Sequence, residues 1–490
     1  MKPLSAADRR TAWRIFALVF FACAAFFNHG TWHQSSRYDA VYALAEDARP
    51  EIDLFVPYPA QNFNTGDWAE HGGHRYSNKA PGNFLPGLLL YAPAWHFLRL
   101  LRPEGLPWRW DIALAYLVNL VSSGLWTAAG AAIFYRLLRQ LGRSPRAAAG
   151  WSLALALATP LWPYSTQMWG APMAAACEIF ALACLLPPEP DRAAYRWGGL
   201  WCGLAALTDY MAFLFAAGMT LYVLCRDRKR IGDFLLGAAP SALLFALYHG
   251  YCFGSPFRPA TACNNPAFLS ESGGIAETPS LARIGRLWFA PGRGVFLQTP
   301  LLLAAWFGWY RWCRRSETRL AGAVTLGIFC AMTLANASFN GWHCGETSSY
   351  RDLIPALPLA AAQTEWRTQL RRAFAIALGL LSGIGMLGLA FTAPMDVQAQ
   401  TFPILHSLWM TLNGAIFSCN LPRLYGMSPE WEAIREHSSF NFGSLCFNLT
   451  GAASLLPILF VLALLGGGVI ATLRRRSDDN STGEPDRTRS

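Results

Sequence analysis

Long apolar runs separated by short arginine-bearing loops recur along the whole chain, from residues 17–27 to residues 455–473. A helix crosses a hydrocarbon core with about 20 apolar residues, and several of these runs reach that length. The basic loops at 9–14, 136–146, 226–230, 311–319, 367–372 and 474–476 alternate with longer polar stretches rich in aromatic residues, Gly, Pro and His. The polar stretches lie at about 28–83, 162–170, 251–294, 336–352 and 394–450. Loops rich in Lys and Arg stay on the cytoplasmic side, so the polar stretches face outward and both termini are cytoplasmic. The pattern predicts an all-α polytopic membrane protein, a bundle of about 10–12 transmembrane helices with a long structured first outer loop. Residues 1–473 read as one transmembrane domain and 474–490 as a disordered cytoplasmic tail. The expected location is the cell (inner) membrane, with multiple passes.

Two runs do not fit simple crossings. The first run delivers 28–83 outside, yet the long run 111–135 must begin outside to end at the basic loop 136–146. Residues 84–101, which contain Pro86, Gly87 and Pro93, are therefore read as an interfacial or re-entrant helix, broken backbone being tolerated at membrane depth only where protein buries it. Residues 197–225 run between two basic loops and carry Asp209 near their middle, so they read as two shorter helices meeting inside the bilayer.

Composition sharpens this picture. Of 490 residues, 53% are hydrophobic and only 14% charged, against about 25% charged in ordinary soluble domains, which leaves no room for a large soluble domain. The net charge of +10 sits in the topology-setting loops, so nucleic acid is not an expected partner. Twelve Cys occur with no CxxC pair, giving neither a zinc site nor a thioredoxin-type motif. Cys263, Cys344, Cys419 and Cys446 fall in outward stretches, where an oxidising compartment would allow pairing. The first run follows Lys2, Arg9, Arg10 and Arg14 and is succeeded by bulky Phe26, Asn28, His29, Trp32 and His33. That favours an anchor over a leader with a small-residue cleavage site.

The first outer stretch holds the densest polar chemistry. Its length exceeds that of an ordinary connection, and its aromatic residues and prolines argue for order. Within 37–47, Tyr38, Val41, Tyr42 and Ala45 recur at helical spacing, predicting a short helix along the membrane surface. A carboxylate at a dry membrane edge can be raised toward working pH and serve as a general base, and Asp39 and Asp67 are the candidates. The bland alternative for each is a turn cap or a partner for Arg37 or Arg75. His29/His33 and His71/His74 are loosely spaced for a divalent ion, but nothing completes a tetrahedral set, so no metal is indicated. Lys79, held by Pro81 and Gly82 at the start of the next apolar run, is a compact ammonium suited to the phosphate of a lipid headgroup; a snorkelling lysine is the alternative.

These residues carry a resemblance. Ser36-Arg37-Tyr38, then Gly66-Asp67-Trp68, then Gly73-His74-x-Tyr76-Ser77-x-Lys79-Ala80-Pro81-Gly82 resemble the first outer loop of the GT-C fold membrane glycosyltransferases. This polyprenyl-phosphate-sugar-dependent group includes protein O-mannosyltransferases and lipid A aminoarabinose transferases. WPYSTQMWG at 162–170, Gly254-Ser255-Pro256, LWFAPGRGVFLQTP at 287–300, NGWHCGETSSYRDLIPALP at 340–358 and residues 441–451 continue the likeness in order.

The resemblance implies a donor lipid between helices with its phosphate near the outer face, a first-loop carboxylate as base, and basic residues on the phosphate. Lys79 matches the phosphate-proximal Lys of the Lys-Pro motif. Arg351 matches the Arg before the Leu-x-Pro-x-Leu-Pro segment, where a bidentate grip is possible, with a helix-start pair to Glu346 or Asp352 as the alternative. Arg293 resembles a further basic loop residue. Arg37, Tyr38, His74 and Tyr76 complete the substrate loop. Gln34 stands three positions before the Arg-Tyr pair, where the aminoarabinose-transferase pattern has an acidic residue, so Asp39 or Asp67 must take the role of base.

The implied activity is transfer of a sugar, hexosyl or pentosyl, from a polyprenyl-phosphate donor to a lipid, glycan or protein acceptor on the outer face, without a required cofactor. A transporter or flippase of lipid-linked sugar and a non-catalytic relative of the same scaffold are the alternatives. Transporters place ionisable groups at the midplane, whereas here the charges crowd into the outer loops.

Overall fold

The computed structural model describes residues 5–28, 32–56, 65–104, 108–266, 276–343, 347, 349–363, 369–392, 402–412, 441–449 and 451–482. They form an all-α bundle with one small β-hairpin. The chain runs through α1 (Ala6–Ala24), α2 (Trp32–Glu46), the hairpin β1 (Trp68–His71) and β2 (His74–Ser77), α3 (Phe84–Leu101) and α4 (Trp108–Asn119). A π turn at Leu120–Gly124 leads into α5 (Leu125–Gln140), followed by α6 (Pro145–Leu157), α7 (Leu161–Ser165), α8 (Gly170–Leu185), α9 (Arg192–Thr208) and α10 (Ala212–Arg226). Next come α11 (Ile231–Phe253), α12 (Leu281–Phe289), α13 (Val295–Gln298), α14 (Ala304–Arg314), α15 (Arg319–Ala337) and α16 (Leu357–Gln363). The last are α17 (Gln369–Thr392), α18 (Pro403–Leu412), α19 (Phe442–Phe447) and α20 (Leu455–Thr482).

Six helical stretches among the described residues are long and apolar enough to cross a membrane: Pro81–Leu101, Trp110–Gln140, Arg228–Phe253, Arg319–Ala337, Ala373–Thr392 and Gly451–Arg474. Gly170–Leu185 and Ala212–Arg226 are shorter apolar helices. The protein is thus a multi-pass membrane protein. Helix starts follow local chemistry: Ser5, Ser144 and Asp191 each accept a hydrogen bond from a backbone N–H of the first turn, satisfying donors that a helix leaves free. At the other end of α11, Gly254 takes the left-handed conformation, φ 75°, that ends a helix without steric cost in glycine.

Small residues let the helices close up. A Cβ on Gly199 would fall 1.9 Å from the Phe234 carbonyl oxygen, and one on Gly237 would fall 1.9 Å from that of Arg196, so α9 and α11 touch backbone to backbone. Helices α1 and α5 lie antiparallel. The Asp8 carboxylate near the start of α1 accepts from Tyr135 Oη at 2.7 Å and Arg139 Nε at 2.9 Å, while Cys23, near its end, abuts Gly124. The main core fills this bundle. A second core joins α2, α3 and α4 through Tyr38, Val41, Tyr42, Phe84, Tyr91 and Leu114.

Three features depart from expectation. Helix α2 begins at Trp32 and is buried on nearly every side rather than lying half bare on the surface. The two helices over 197–225 exist, but α9 starts at Arg192 and its 17 residues rise about 25 Å. Asp209 therefore lies at the far end of α9, beside Gly82 and Gly170, whose Cβ positions would meet Thr208, and not midway along the apolar run. The last helix runs past Arg474 to Thr482; residues 483–490 lie outside the described set. Cys263 and Cys446 carry free thiols, and Cys344 and Cys419 lie outside the described residues.

Candidate functional site

Strands β1 and β2 pair antiparallel with Trp68 opposite Ser77, and Gly72 and Gly73 turn the corner with φ of 63° and 84°, a two-residue turn that needs positive φ at both positions. This register brings the residues flanking the strands together. Lys79 Nζ lies 2.8 Å from Asp67 Oδ2, with both side chains mostly buried. Asp67 is fixed in turn by Thr65 Oγ1, which accepts from its backbone N–H at 3.0 Å. Pro81 then starts the helical turn that leads into α3.

Helix α2 points a second cation at the same place. Arg37 Nη1 donates to His33 Nδ1 at 2.5 Å and to the His33 carbonyl at 3.1 Å. Because Nδ1 accepts, His33 is the neutral tautomer protonated at Nε2. Its ring lies flat on the indole of Trp169, centroids 3.7 Å apart and planes 8° from parallel. The same indole is approached by the Arg37 guanidinium at 5.7 Å and by the Arg351 guanidinium at 5.3 Å, within cation–π range. Arg351 opens the 3-10 turn Arg351–Ala356, and its Nε lies 3.4 Å from Asp352 Oδ1. A Cβ on Gly170 would meet the Thr208 carbonyl oxygen at 2.5 Å and Arg37 Nη2 at 3.2 Å, so glycine is what lets α8 begin here.

The electrostatics follow from dense charge in a dry place. Burial, reinforced by the charges of Lys79, Arg37 and Arg351, holds His33 well below its ordinary range. Burial pulls the Lys79 ammonium down to about 8, with the Asp67 carboxylate opposing, and pulls Arg37 down to about 10, with Asp209 and Asp67 opposing. Asp209 is pushed up to about 6 by burial, while the N–H of Met211 and the charges of Arg37 and Arg351 hold it down. Three cations, Arg37, Lys79 and Arg351, and three carboxylates, Asp67, Asp209 and Asp352, thus share one pocket of field around Trp169.

The other sequence candidates lie elsewhere. Asp39 is fully buried, but two positions beyond Arg37 it projects from the opposite side of α2. Tyr38 Oη donates to the Ala115 carbonyl at 2.9 Å and so packs α2 on α4. His74 sits exposed at the hairpin turn, its Nδ1 2.8 Å from Asp53 Oδ2. Tyr76 faces Phe253 edge to face in a small separate core. Arg293 sits in the turn before α13; together with Arg351 its charge adds to the burial that lowers His343. Gln34 is buried and donates to Gln167, tying α2 to the segment that carries Trp169.

Sequence reading missed Trp169, His33 and Asp209 as members of this site. The signals were a Trp-Gly pair at the head of an apolar run and a lone carboxylate interrupting another. Among the described residues, no group of three or more His, Cys, Asp or Glu is placed to hold a metal ion.

No protein-family model matches the chain, and no curated protein matches it. Among solved structures it is similar to ArnT from Cupriavidus metallidurans bound to undecaprenyl phosphate, at 14% identity and a TM-score of 0.43, over 82% of this chain and 74% of that one. The apo state of ArnT aligns at 16% identity and 0.44, over 80% and 73%. The archaeal oligosaccharyltransferase AglB from Archaeoglobus fulgidus, in complex with an inhibitory peptide and a dolichol-phosphate, aligns at 14% identity and 0.40, over 86% of this chain and 59% of that one.

Proposed function

We propose that this chain is a GT-C-like membrane glycosyltransferase that moves a sugar from a polyprenyl-phosphate donor to a lipid, glycan or protein acceptor on the outer face. The observation that carries the proposal is the gathering of Lys79, Arg37 and Arg351 around Trp169 at one end of an apolar bundle. Two fork-shaped guanidiniums and one ammonium, partly desolvated, suit a phosphate whose lipid tail lies among helices. The sequence likeness of this loop to polyprenyl-phosphate-sugar enzymes points the same way.

In this reading the donor phosphate takes the place of Asp67 at Lys79 and frees that carboxylate. Asp67 then accepts the proton of the acceptor hydroxyl or amine as its oxygen or nitrogen bonds to the anomeric carbon. The bond from that carbon to the phosphate oxygen breaks, and the electron pair leaves with the lipid phosphate, whose charge Lys79, Arg37 and Arg351 stabilise. Asp39 is the second candidate base; its position away from the cations makes it the weaker one. Asp209 and Asp352 balance the cation cluster while the site is empty.

Purified protein in nanodiscs, offered a panel of polyprenyl-phosphate sugars with crude membrane acceptors, tests the proposal. Transfer that is lost in Lys79→Ala and Asp67→Asn but kept in Asp39→Asn supports it. Transfer unchanged in Lys79→Ala overturns it.

A further inference from the structure

Trp32 opens α2, one position before His33, and its side chain reaches the segment that carries Asp67. A Cβ on Gly66 would fall 2.5 Å from Trp32 Cζ3 and 2.6 Å from Cε3, so the six-membered ring of the indole lies against the backbone of Gly66, where a larger residue would push it away. Asp67 follows directly, and successive α-carbons are about 3.8 Å apart. The ring therefore stands one residue from the carboxylate that pairs with Lys79.

Hydrogen bonds hold this arrangement together. Thr65, fully buried, donates its hydroxyl to the Trp32 carbonyl at 2.7 Å while accepting from the Asp67 N–H at 3.0 Å, so one side chain ties the backbone of the indole to that of the carboxylate. Asn265 adds a second tie: its Nδ2 donates to the Gly66 carbonyl at 3.0 Å, and its N–H donates to the Trp68 carbonyl at 3.0 Å. Indole and carboxylate thus share one hydrogen-bonded frame.

Exposure separates Trp32 from the other indoles nearby. Trp169 is 2% exposed, with the His33 ring flat upon it and two guanidiniums beside it. Trp68 is 6% exposed, and the Arg75 guanidinium lies 5.0 Å from its ring. Trp32 is 46% exposed, whereas the Asp67 and Lys79 side chains are mostly buried. The open surface beside the ion pair is that of an indole.

An aromatic face carries partial negative charge and attracts the slightly positive C–H hydrogens of a sugar. A pyranose with mainly equatorial hydroxyls gathers those hydrogens on a flat apolar face; a furanose presents no such face. In the proposed reaction the phosphate at Lys79 is bonded directly to the anomeric carbon, so the donor sugar begins one bond from the phosphate, in the neighbourhood where Trp32 stands.

We propose that Trp32 is the platform on which the sugar ring of the donor stacks, and that the site takes a pyranose with an open C–H face in preference to a furanose. This inference rests on the proposed phosphate site and deepens it, because the cations hold the phosphate that every such donor shares, whereas the indole distinguishes one sugar from another.

Binding of three lipids to the full chain in nanodiscs tests it: undecaprenyl phosphate, and the same lipid carrying glucopyranose or arabinofuranose. The native chain should bind the glucopyranosyl lipid more tightly than the arabinofuranosyl one. Trp32→Ala should weaken the glucopyranosyl lipid by roughly 10-fold, the scale of one ring packed on an aromatic side chain, erase the preference for pyranose and leave the bare lipid phosphate unchanged. Trp32→Phe, which keeps an aromatic face, should recover most of the loss. A purely structural role would weaken bare and sugar-bearing lipids alike, and a membrane-interface anchor would weaken none of them; either result overturns the platform. Lys79→Ala separates this inference from the one beneath it. If Lys79→Ala weakens all three lipids and Trp32→Ala weakens none, the phosphate site stands and the platform alone falls. If Lys79→Ala leaves the bare lipid bound as before, the phosphate site falls and the platform with it.

Discussion

Lys79 Nζ is paired with Asp67 Oδ2 across the mouth of the hairpin at 2.8 Å, and this pair holds two proposed roles in one contact, a phosphate ligand and a base. Separating them gives the first expectation. Lys79→Ala should weaken binding of a polyprenyl phosphate by roughly 10- to 100-fold, the loss of one charge-assisted contact of about 1.5–3 kcal/mol. Asp67→Asn should leave binding equal or tighter while transfer falls steeply. Titration of a labelled polyprenyl phosphate in nanodiscs, beside a transfer assay, reads both.

Acid–base behaviour gives the second. With Lys79 drawn down to about 8 by burial, the empty site keeps its ammonium below that pH and loses one positive charge above it. Donor affinity should therefore decline as pH rises through about 8. Lys79→Arg, which stays charged across this range, should abolish the decline; affinity that is flat from pH 7 to 9 in the native chain would contradict the assignment.

Asp209 supplies a second step in the same direction at lower pH. Burial raises it to about 6, against the pull of the Met211 N–H, Arg37 and Arg351, and with Asp352 adding to the rise. Below about pH 6 it is neutral, the site is more positive, and a phosphodiester donor should bind more tightly. The folded state favours the protonated acid, so this group's stabilisation is complete below its ordinary range and is lost as pH rises through about 6. Asp209→Asn should bind donor as the native chain does at low pH and should flatten the melting temperature across pH 5–7, measured by thermal unfolding in detergent.

Packing gives a fourth. In Gly170→Ala the new methyl meets the Thr208 carbonyl and Arg37 Nη2, an overpacked contact that costs about 1–3 kcal/mol. The variant should melt lower and lose transfer because Arg37 is displaced. Gly150→Ala, in α6 with nothing within 4 Å of the new carbon, should melt no lower than the native chain and keep activity.

Much of this arrangement was legible in the chain, for reasons that differ by residue. The apolar runs fix the membrane class because their length and lack of charge admit no other solvent. The Lys79–Asp67 meeting was within reach of local reasoning, since a Gly-Gly turn between two short strands brings their flanks together. Asp209 was misplaced because hydropathy marks where a run becomes apolar, whereas α9 begins five residues earlier at Arg192, capped by Asp191. Arg351 was reached through the resemblance, whereas its meeting with Trp169 escaped because the two are distant in sequence and no local pattern encodes which loop docks on which. Tyr38 and His74 carry the motif's letters, yet their environments are a backbone carbonyl and an exposed carboxylate.

The indole of Trp169 is flanked by guanidiniums from distant parts of the chain, at positions 37 and 351. Ribosomes add about 5–20 residues per second, so the second guanidinium emerges tens of seconds after the first. During that interval the growing chain holds Lys79 and Arg37 but lacks the third cation, and the charge cluster around the indole is incomplete. Completion of the proposed donor site is thereby deferred until all but the last two membrane stretches, Ala373–Thr392 and Gly451–Arg474, have been made, a timing set by the order of the genetic message.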